Sequence, residues 1–309
     1  MRIIFFGTPD FALPSLNALV NSGEQVVAVI TQPDSMKGRG HKLSRPPVKE
    51  YAVSIGIRVL QPCGICSVDF FDALSVLTPD MIVVVAYGKI LPPSILGLPP
   101  QGCINVHASI LPKYRGAAPI QWAIVRGETM TGVTTMRMDE GLDTGDTLLV
   151  DTTEITPEDT ALTLGARLSE MGARLLLTTI IHLKDGSINP IPQTGEPSYA
   201  PIIRKDHGRI DWTASAADIF NLSRGMFPWP GSFCFFQGNK VTLMRTRIVD
   251  DRIQGVPGRI EKITGNELHA ATGKGILSII EMRPEGKQSM SGAAYAHGRH
   301  LREGMQFDH

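Results

Sequence analysis

Apolar and polar residues follow two kinds of pattern along the first 110 positions. Short runs that are almost wholly apolar alternate with stretches in which apolar residues recur at helical spacing. Runs that are apolar on both faces are typical of strands in a parallel sheet covered by helices. The pattern predicts strands over Arg2–Phe6, Val26–Ile30, Ile57–Leu60, Met81–Ala86 and Cys103–His107, and helices from Asp10 to about Val20 and over Val68–Leu77.

The alternation continues to about residue 184. A helix is predicted over Ala118–Arg126, strands over Val133–Met138 and Thr147–Asp151, and a long helix over Glu158–Leu183. This order predicts an α/β fold with an open, Rossmann-like, mainly parallel sheet and helices on both faces. The first strand is followed by G-T-P-D, with one glycine. Because the dinucleotide fingerprint needs three glycines, we do not expect a classical NAD site.

The pattern changes after residue 184. Residues 185–206 contain four prolines without periodicity, which predicts a stiff linker. Beyond it, a helix is predicted over Ala214–Gly225. Short apolar runs separated by glycine turns then favour a small OB-like β-barrel over residues 207–309. The predicted strands are Phe233–Phe236, Val241–Thr246, Gly258–Ile263, Leu268–Ala270 and Ile276–Met282.

Composition and charge narrow the class of protein. With 42% hydrophobic and 19% charged residues, the chain has the composition of a soluble globular protein. Its 30 basic residues balance 30 acidic ones, although Arg204 to His309 holds 15 basic and 11 acidic residues. The N-terminus does not resemble a signal peptide and no apolar run approaches a membrane span, so we expect a cytoplasmic protein. Cys63 and Cys66 form an isolated C-x-x-C, which we interpret as a loop, and no metal site is predicted.

Two polar residues end the strand predicted at Cys103–His107. Asn105 and His107 are two positions apart, so they point to the same face, with their bases about 6.6–7 Å apart. They lie at the carboxyl end of a strand, where open α/β sheets bind ligands. An amide can donate to an oxyanion and an imidazole can exchange a proton near neutral pH. Because no activated amino-acid nucleophile is evident, the pair favours direct acyl transfer between two substrates.

A carboxylate that orients the histidine is expected in the turn D-E-G-L-D-T-G-D. Asp143 is a candidate, with Asp139, Glu140 and Asp146 as competitors. Sequence spacing does not choose among them, and a solvated acidic turn is the alternative to a site.

Several motifs together resemble those of folate-dependent formyltransferases. They are N-V-H-A-S-I-L-P-K-Y-R-G-A-A-P, D-E-G-L-D-T-G-D, the opening R-I-I-F-F-G-T-P-D-F-A, V-V-V-A-Y-G-K-I-L-P and P-W-P-G-S-F, and they extend over essentially the whole chain. The resemblance implies transfer of a formyl group from 10-formyltetrahydrofolate to the α-amino group of methionine on initiator tRNA. It assigns catalysis to Asn105, His107 and Asp143. It also implies that folate contacts Ser109, Ile110, Leu111, Pro112, Tyr87 and Leu91.

The segment Pro33–Lys49 carries five basic residues against one acidic residue. Its glycines and prolines predict no regular structure, and a solvated connection is the ordinary interpretation. Because it follows an apolar strand, we expect it beside Asn105 and His107, where cations would suit an RNA backbone. The resemblance implies that this segment contacts the acceptor stem of the tRNA, with Arg39 as the key residue. The predicted tRNA contacts are Lys37, Arg39, Lys42 and Arg45. The basic barrel domain is expected to support these contacts by binding the RNA backbone, and the protein is expected to be a monomer.

Four other functions remain open at this point. A formyltransferase acting on a sugar nucleotide, or a hydrolase that releases formate from formyl-folate, would share the same three residues. The basic segment argues against both, because a small acceptor does not need five cations. A glycinamide ribonucleotide formyltransferase would leave the last hundred residues unexplained. A non-catalytic RNA-binding protein is disfavoured by the intact Asn-x-His and Asp143.

Overall fold

A computed structural model of the chain describes residues 1–37 and 42–308. Two units are distinguished by their internal packing. Unit 1 comprises Met1–Pro119, Met130–Thr153 and Gly165–Ala200, and unit 2 comprises Ile120–Thr129, Glu154–Leu164 and Pro201–His309. The domain boundaries predicted at residues 184 and 207 remain a proposal.

The strands before residue 160 are β1 (Arg2–Gly7), β2 (Gln25–Ile30), β3 (Ser35–Lys37), β4 (Lys42–Ser44), β5 (Val59–Leu60), β6 (Met81–Val85), β7 (Cys103–His107), β8 (Met130–Arg137) and β9 (Thr147–Glu154). The helices up to residue 185 are α1 (Leu13–Asn21), α2 (Pro47–Ser54), α3 (Val68–Ser75), α4 (Pro93–Leu96), α5 (Pro119–Val125) and α6 (Ala161–Asp185).

Seven of these strands form one sheet in the order β5-β2-β1-β6-β7-β8-β9. The pairs from β5 to β7 are parallel, and β8 runs antiparallel to β7. All five residues of β6 and all five of β7 are buried. The open, mainly parallel sheet predicted from the sequence is therefore confirmed. Since β1, β6 and β7 are parallel neighbours, the segments that follow them meet at one edge of the sheet, where such folds bind ligands.

The prediction that Pro33–Lys49 has no regular structure is wrong. Strands β3 and β4 pair as an antiparallel hairpin with Met36 opposite Leu43, and α2 begins at Pro47. Proline fits the first position of a helix, because the backbone N–H that it lacks has no partner there. Pro47 therefore begins a helix here and does not break one.

The antiparallel β domain expected after the linker is confirmed in unit 2. Its elements are α7 (Ala216–Gly225), β10 (Ser232–Phe236), β11 (Asn239–Asp250), β12 (Ile260–Thr264), β13 (Glu267–Ala271), β14 (Ile276–Pro284), β15 (Met290–Ser291) and α8 (Gly292–Gly298). The sheet order is β10-β11-β14-β13-β12, with β15 on β14.

The chain's last residues join the two edges of this sheet. Asp308 bridges to Phe235 in β10, while Gln306 bridges to Arg259, next to β12. Between them, the Phe307 ring stacks on Trp212, with 5.1 Å between ring centroids. These bridges close the sheet around an apolar core, as in a small barrel. Helix α8 was not predicted.

Candidate active site

The tip of β7 carries two polar side chains within a buried strand. Asn105 pairs with Val84 in β6 and with Met136 in β8, and His107 pairs with Thr134 in β8. The two residues are 8% and 6% exposed, so they reach the surface only at the edge of the sheet. Strand alternation directs both side chains to the same face, as predicted.

Asp143 approaches this pair from the loop between β8 and β9. Its Oδ1 atom accepts a long hydrogen bond of 3.4 Å from Asn105 Nδ2. Its Oδ2 atom lies 3.6 Å from His107 Nδ1 and accepts a hydrogen bond of 2.8 Å from the Gly116 N–H. An amide, an imidazole and a carboxylate therefore meet at one point on the carboxyl edge of the sheet.

The fold of this loop distinguishes Asp143 from the other acidic candidates. The exposed Asp139 carboxylate accepts hydrogen bonds within its own loop, from the Gly141 N–H at 3.0 Å and from the Thr144 hydroxyl at 2.7 Å. Glu140 is exposed. Asp143 has a left-handed backbone with φ +52°, which turns its side chain toward the strand. Among the four carboxylates of the turn, Asp143 is the one that contacts Asn105 and His107.

The orientation of the His107 ring follows from its second contact. Its Nε2 atom lies 2.9 Å from the Tyr114 carbonyl oxygen. Because a carbonyl only accepts, Nε2 carries the proton, and Nδ1 is the nitrogen that faces Asp143. Nδ1 lies at ion-pair distance from Asp143 Oδ2 if the ring is protonated, and the separation of 3.6 Å is too long for a hydrogen bond.

The turn after β7 is built by its own hydrogen bonds. The fully buried Ser109 hydroxyl donates to the Lys113 carbonyl at 2.6 Å. The Thr134 hydroxyl donates to the Ser109 carbonyl at 2.7 Å and accepts from the Leu111 N–H at 3.2 Å. Ser109 is therefore engaged within the turn. Leu111 is buried, whereas Ile110 and Pro112 are half-buried. The folate contacts expected of all four residues stay predictions.

Tyr87 and Leu91 lie in the apolar core, at 2% and 1% exposure. The Tyr87 ring packs edge-on against Phe6, with 5.0 Å between centroids, and burial raises the pKa of Tyr87 to about 12. Its hydroxyl is buried without a hydrogen-bond partner among the residues that the structure describes. The exposed residues of this stretch are Gly88 and Ile90. Any contact of Leu91 with a pterin stays a prediction.

The basic segment borders the same edge of the sheet, since it follows β2. Lys37 ends β3, Lys42 begins β4, and Arg45 is exposed just after β4. Arg39 lies outside the described residues. A cleft at this edge is lined by Thr8, Pro9, Gln32, Pro33, Asp34, Ser35, Ser44, Pro46 and Pro47.

Lys49, a basic residue of this segment, has an internal partner. Lys49 Nζ contacts both carboxylate oxygens of Asp34 at 2.8 Å and Gln61 Oε1 at 2.6 Å. The hydrogen bond from Lys49, followed by one from Gln61, lowers the pKa of the Asp34 carboxyl. Lys49 therefore attaches α2 to the end of β2 and is engaged within the fold.

Sequence reasoning missed three backbone groups that complete the site. The Gly116 N–H, the Tyr114 carbonyl and the Asp143 carbonyl all make contacts there, and a backbone group leaves no signature in residue identity. The Tyr-Arg-Gly turn in the quoted motif was the available signal for the first two.

Three general features of the described residues complete the picture. Among residues 1–37 and 42–308, no group of three or more His, Cys, Asp or Glu side chains is placed to hold a metal ion. Cys63 and Cys66 are exposed free thiols. None of the helices in the described ranges is both long and apolar enough to cross a membrane.

Comparison with known proteins places both halves of the chain in related families. The formyl transferase family matches residues 1–180, and the formyl transferase C-terminal domain matches residues 202–300. The methionyl-tRNA formyltransferase of Thermodesulfovibrio yellowstonii is 49% identical over 98% of the chain and 97% of that protein. The enzyme of the same name from Pelotomaculum thermopropionicum is 47% identical over 99% of the chain and 98% of that protein.

A solved structure supports the fold. The N-formyltransferase of Helicobacter canadensis, in complex with folinic acid and dTDP-3-aminofucose, superposes with a TM-score of 0.70. The match covers 90% of the chain and 98% of that protein at 19% identity. At this identity the likeness concerns the fold and not the acceptor.

Proposed function

The chain belongs to the formyl transferase family, and we propose that it formylates the α-amino group of methionine carried by initiator tRNA, with 10-formyltetrahydrofolate as the donor. The full-length identity of 47–49% to relatives named methionyl-tRNA formyltransferase supports this acceptor. An aminoacyl-tRNA acceptor would fit a cytoplasmic enzyme.

The observation that carries the proposal is the meeting of Asn105, His107 and Asp143. Contacts of 3.4 Å and 3.6 Å join the carboxylate to the amide and to the imidazole. These groups suit acyl transfer between two bound substrates, because they can stabilise an oxyanion and move a proton without supplying a nucleophile.

In the proposed reaction the methionine amine attacks the formyl carbon, and the carbonyl electrons move to the formyl oxygen. In this scheme the Asn105 amide donates a hydrogen bond to that oxygen, and the positive charge of a His107 imidazolium stabilises it. Asp143 orients the imidazole and takes a proton from the attacking amine. As the carbonyl reforms, the bond from the formyl carbon to the folate nitrogen breaks, and the proton held by Asp143 passes to this nitrogen.

We propose that the donor lies along the segments Tyr87–Leu91 and Ser109–Pro112. Both segments follow strands that end at the edge of the sheet beside the three residues. The exposed backbone at Gly88 supplies polar groups there. The bound folate supplies an activated formyl group.

The basic segment supports a large anionic acceptor. Lys37, Arg39, Lys42 and Arg45 follow β2 in the chain, while Lys49 is occupied by Asp34. Cations beside a reaction centre would hold the phosphates of an acceptor stem. The excess of basic residues after Arg204 would add a weaker, backbone-directed contact.

A competition among acceptors tests this function. The purified chain is incubated with 10-formyltetrahydrofolate and, separately, with charged initiator tRNA, a dTDP-aminosugar or no acceptor. We expect formylmethionine on the tRNA, and neither formyl-sugar nor free formate at a comparable rate. Preferred formylation of the sugar, or rapid release of formate without an acceptor, would show that the acceptor is misassigned.

A further inference from the structure

Gln193 lies outside every motif discussed above, yet its side chain joins two loops of the site. Its Nε2 atom donates to the Asp143 carbonyl and to the Gly145 carbonyl, each at 2.8 Å. Its Oε1 atom accepts from Arg115 Nη2 at 2.7 Å and from Arg115 Nε at 3.1 Å. One half-buried amide therefore connects the loop that carries Asp143 to the turn that follows β7.

The segment around Gln193 is itself fixed on both sides. Ile191 and Thr147 exchange two backbone hydrogen bonds of 2.8 Å. Further along, the Ser198 hydroxyl accepts from the Tyr114 N–H at 2.9 Å, and the Ser198 carbonyl accepts from the Arg115 N–H at 2.8 Å. Backbone hydrogen bonds at Ile191 and contacts at Ser198 therefore fix the chain on both sides of Gln193, so that its side chain can hold the two loops in place.

The chemistry of these contacts requires a primary amide. Two carbonyl oxygens need two N–H donors, and the Arg115 guanidinium needs an acceptor, so all four contacts use the hydrogen-bonding capacity of one glutamine. A glutamate of the same shape would still accept from Arg115 but would place a charged oxygen against two carbonyls. An alanine would leave both carbonyls without this donor.

We propose that Gln193 is a positioning residue for the formyl transfer reaction. This inference rests on the function proposed above. By fixing the backbone of Asp143 it would hold the carboxylate against Asn105 and His107. Through Arg115 it would keep the same loop in register with the Tyr114 carbonyl and the Gly116 N–H, which contact His107 and Asp143. Gln193 is 50 residues from Asp143 in the chain and touches none of the three reactive side chains directly.

The test compares Gln193→Ala and Gln193→Glu with Thr194→Ala, a matched change at the exposed neighbouring residue. Small misplacements of catalytic groups reduce rates by up to about 10²-fold. We therefore expect kcat to fall about tenfold in Gln193→Ala and further in Gln193→Glu, with KM for both substrates within about twofold. Thr194→Ala should match the wild type. Amide hydrogen exchange over residues 139–146 should speed up in both Gln193 variants and not in the control.

A double-mutant cycle separates positioning from general stability. If Gln193 acts through Asp143, adding Gln193→Ala to Asp143→Asn should cost little further activity in single-turnover assays. Full additivity, or wild-type kcat and exchange in Gln193→Ala, would overturn the inference. Wild-type protein that transfers no formyl group would instead refute the proposed function, while the exchange measurement would still report on the contacts of Gln193.

Discussion

Asp143 holds a conformation that most residues avoid. Its φ of +52° lies in the left-handed region, where a β-carbon strains the backbone and where Asp and Asn are the common non-glycine residues. The Gly116 N–H and the Gln193 amide stabilise this conformation from two sides. Position 143 therefore needs a residue that tolerates a left-handed backbone and that also carries a carboxylate, and substitutions can test these two requirements separately.

We predict that Asp143→Asn keeps the stability of the wild type, because asparagine tolerates a left-handed backbone and retains a side-chain oxygen for the Gly116 N–H. Asp143→Gly should lose only that hydrogen bond, and Asp143→Ala should be about 1 kcal/mol less stable than Asp143→Gly, since alanine pays the left-handed penalty. All three should lose at least about 10²-fold in kcat, because each lacks the carboxylate. Urea unfolding and steady-state assays check this. Substantial activity in Asp143→Asn would show that the charge is not needed.

At the scale of single residues, reasoning from the sequence pattern predicted that Asn105 and His107 lie side by side on β7, but it did not identify the carboxylate that contacts them. Strand alternation alone puts Asn105 and His107 on one face. Choosing Asp143 over Asp139, Glu140 and Asp146 required the loop conformation, which depends on hydrogen bonds to Gln193 and Gly116 from distant parts of the chain. Only the resemblance to known motifs singled out Asp143 before the structure did.

At the scale of elements, α6 supports the strand that carries the site. A β-carbon at Gly172 would lie 2.8 Å from a γ-carbon of Val106 and 3.4 Å from one of Val133. Val106 lies between Asn105 and His107 on β7 and is 3% exposed. The glycine thus permits close contact between α6 and the sheet directly behind the site.

We predict that Gly172→Ala destabilises the protein by about 1–3 kcal/mol despite the better helix propensity of alanine, because stiff Val106 has little room to move. The displacement of β7 should also lower kcat. Combining it with Val106→Ala should recover part of the stability, since the smaller residue removes the clash. Denaturant midpoints of the three variants measure this. If Gly172→Ala were more stable than the wild type, the packing argument would be wrong.

The sequence predicted most elements because long apolar runs are decided locally. It missed the β3–β4 hairpin and α2, because the glycines and prolines of the segment Pro33–Lys49 suggested irregular structure. Pro47 occupies the first position of α2, where a proline is compatible with a helix, so the presence of prolines did not exclude regular structure. It also missed α8, a short helix whose existence depends on tertiary packing of Tyr295 and Ala296 in the barrel core.

At the scale of the whole molecule, charge distribution matters more than net charge. The chain carries no net formal charge at pH 7, yet Lys37, Arg39, Lys42 and Arg45 follow the carboxyl end of β2 within a short stretch of sequence. An acceptor RNA would respond to these local charges, which are screened by salt.

We predict that affinity for the acceptor tRNA falls as salt rises from about 50 to 200 mM, and that each phosphate contact contributes about 0.9 to the logarithmic slope. Changing Lys37, Lys42 and Arg45 to glutamine should flatten this slope. Arg58→Gln is the control, because exposed Arg58 precedes β5 at the opposite edge of the sheet. A salt-independent affinity, or an equal effect of Arg58→Gln, would contradict the assignment.

The most direct test of the account is the single-turnover rate of formyl transfer to charged initiator tRNA in Asn105→Ala and His107→Ala, with folding checked by thermal unfolding. The account predicts a loss of about 10²–10³-fold in each variant, because each removes a group that stabilises the charge developing on the formyl oxygen. A folded variant of either kind that retained nearly the wild-type rate would contradict it.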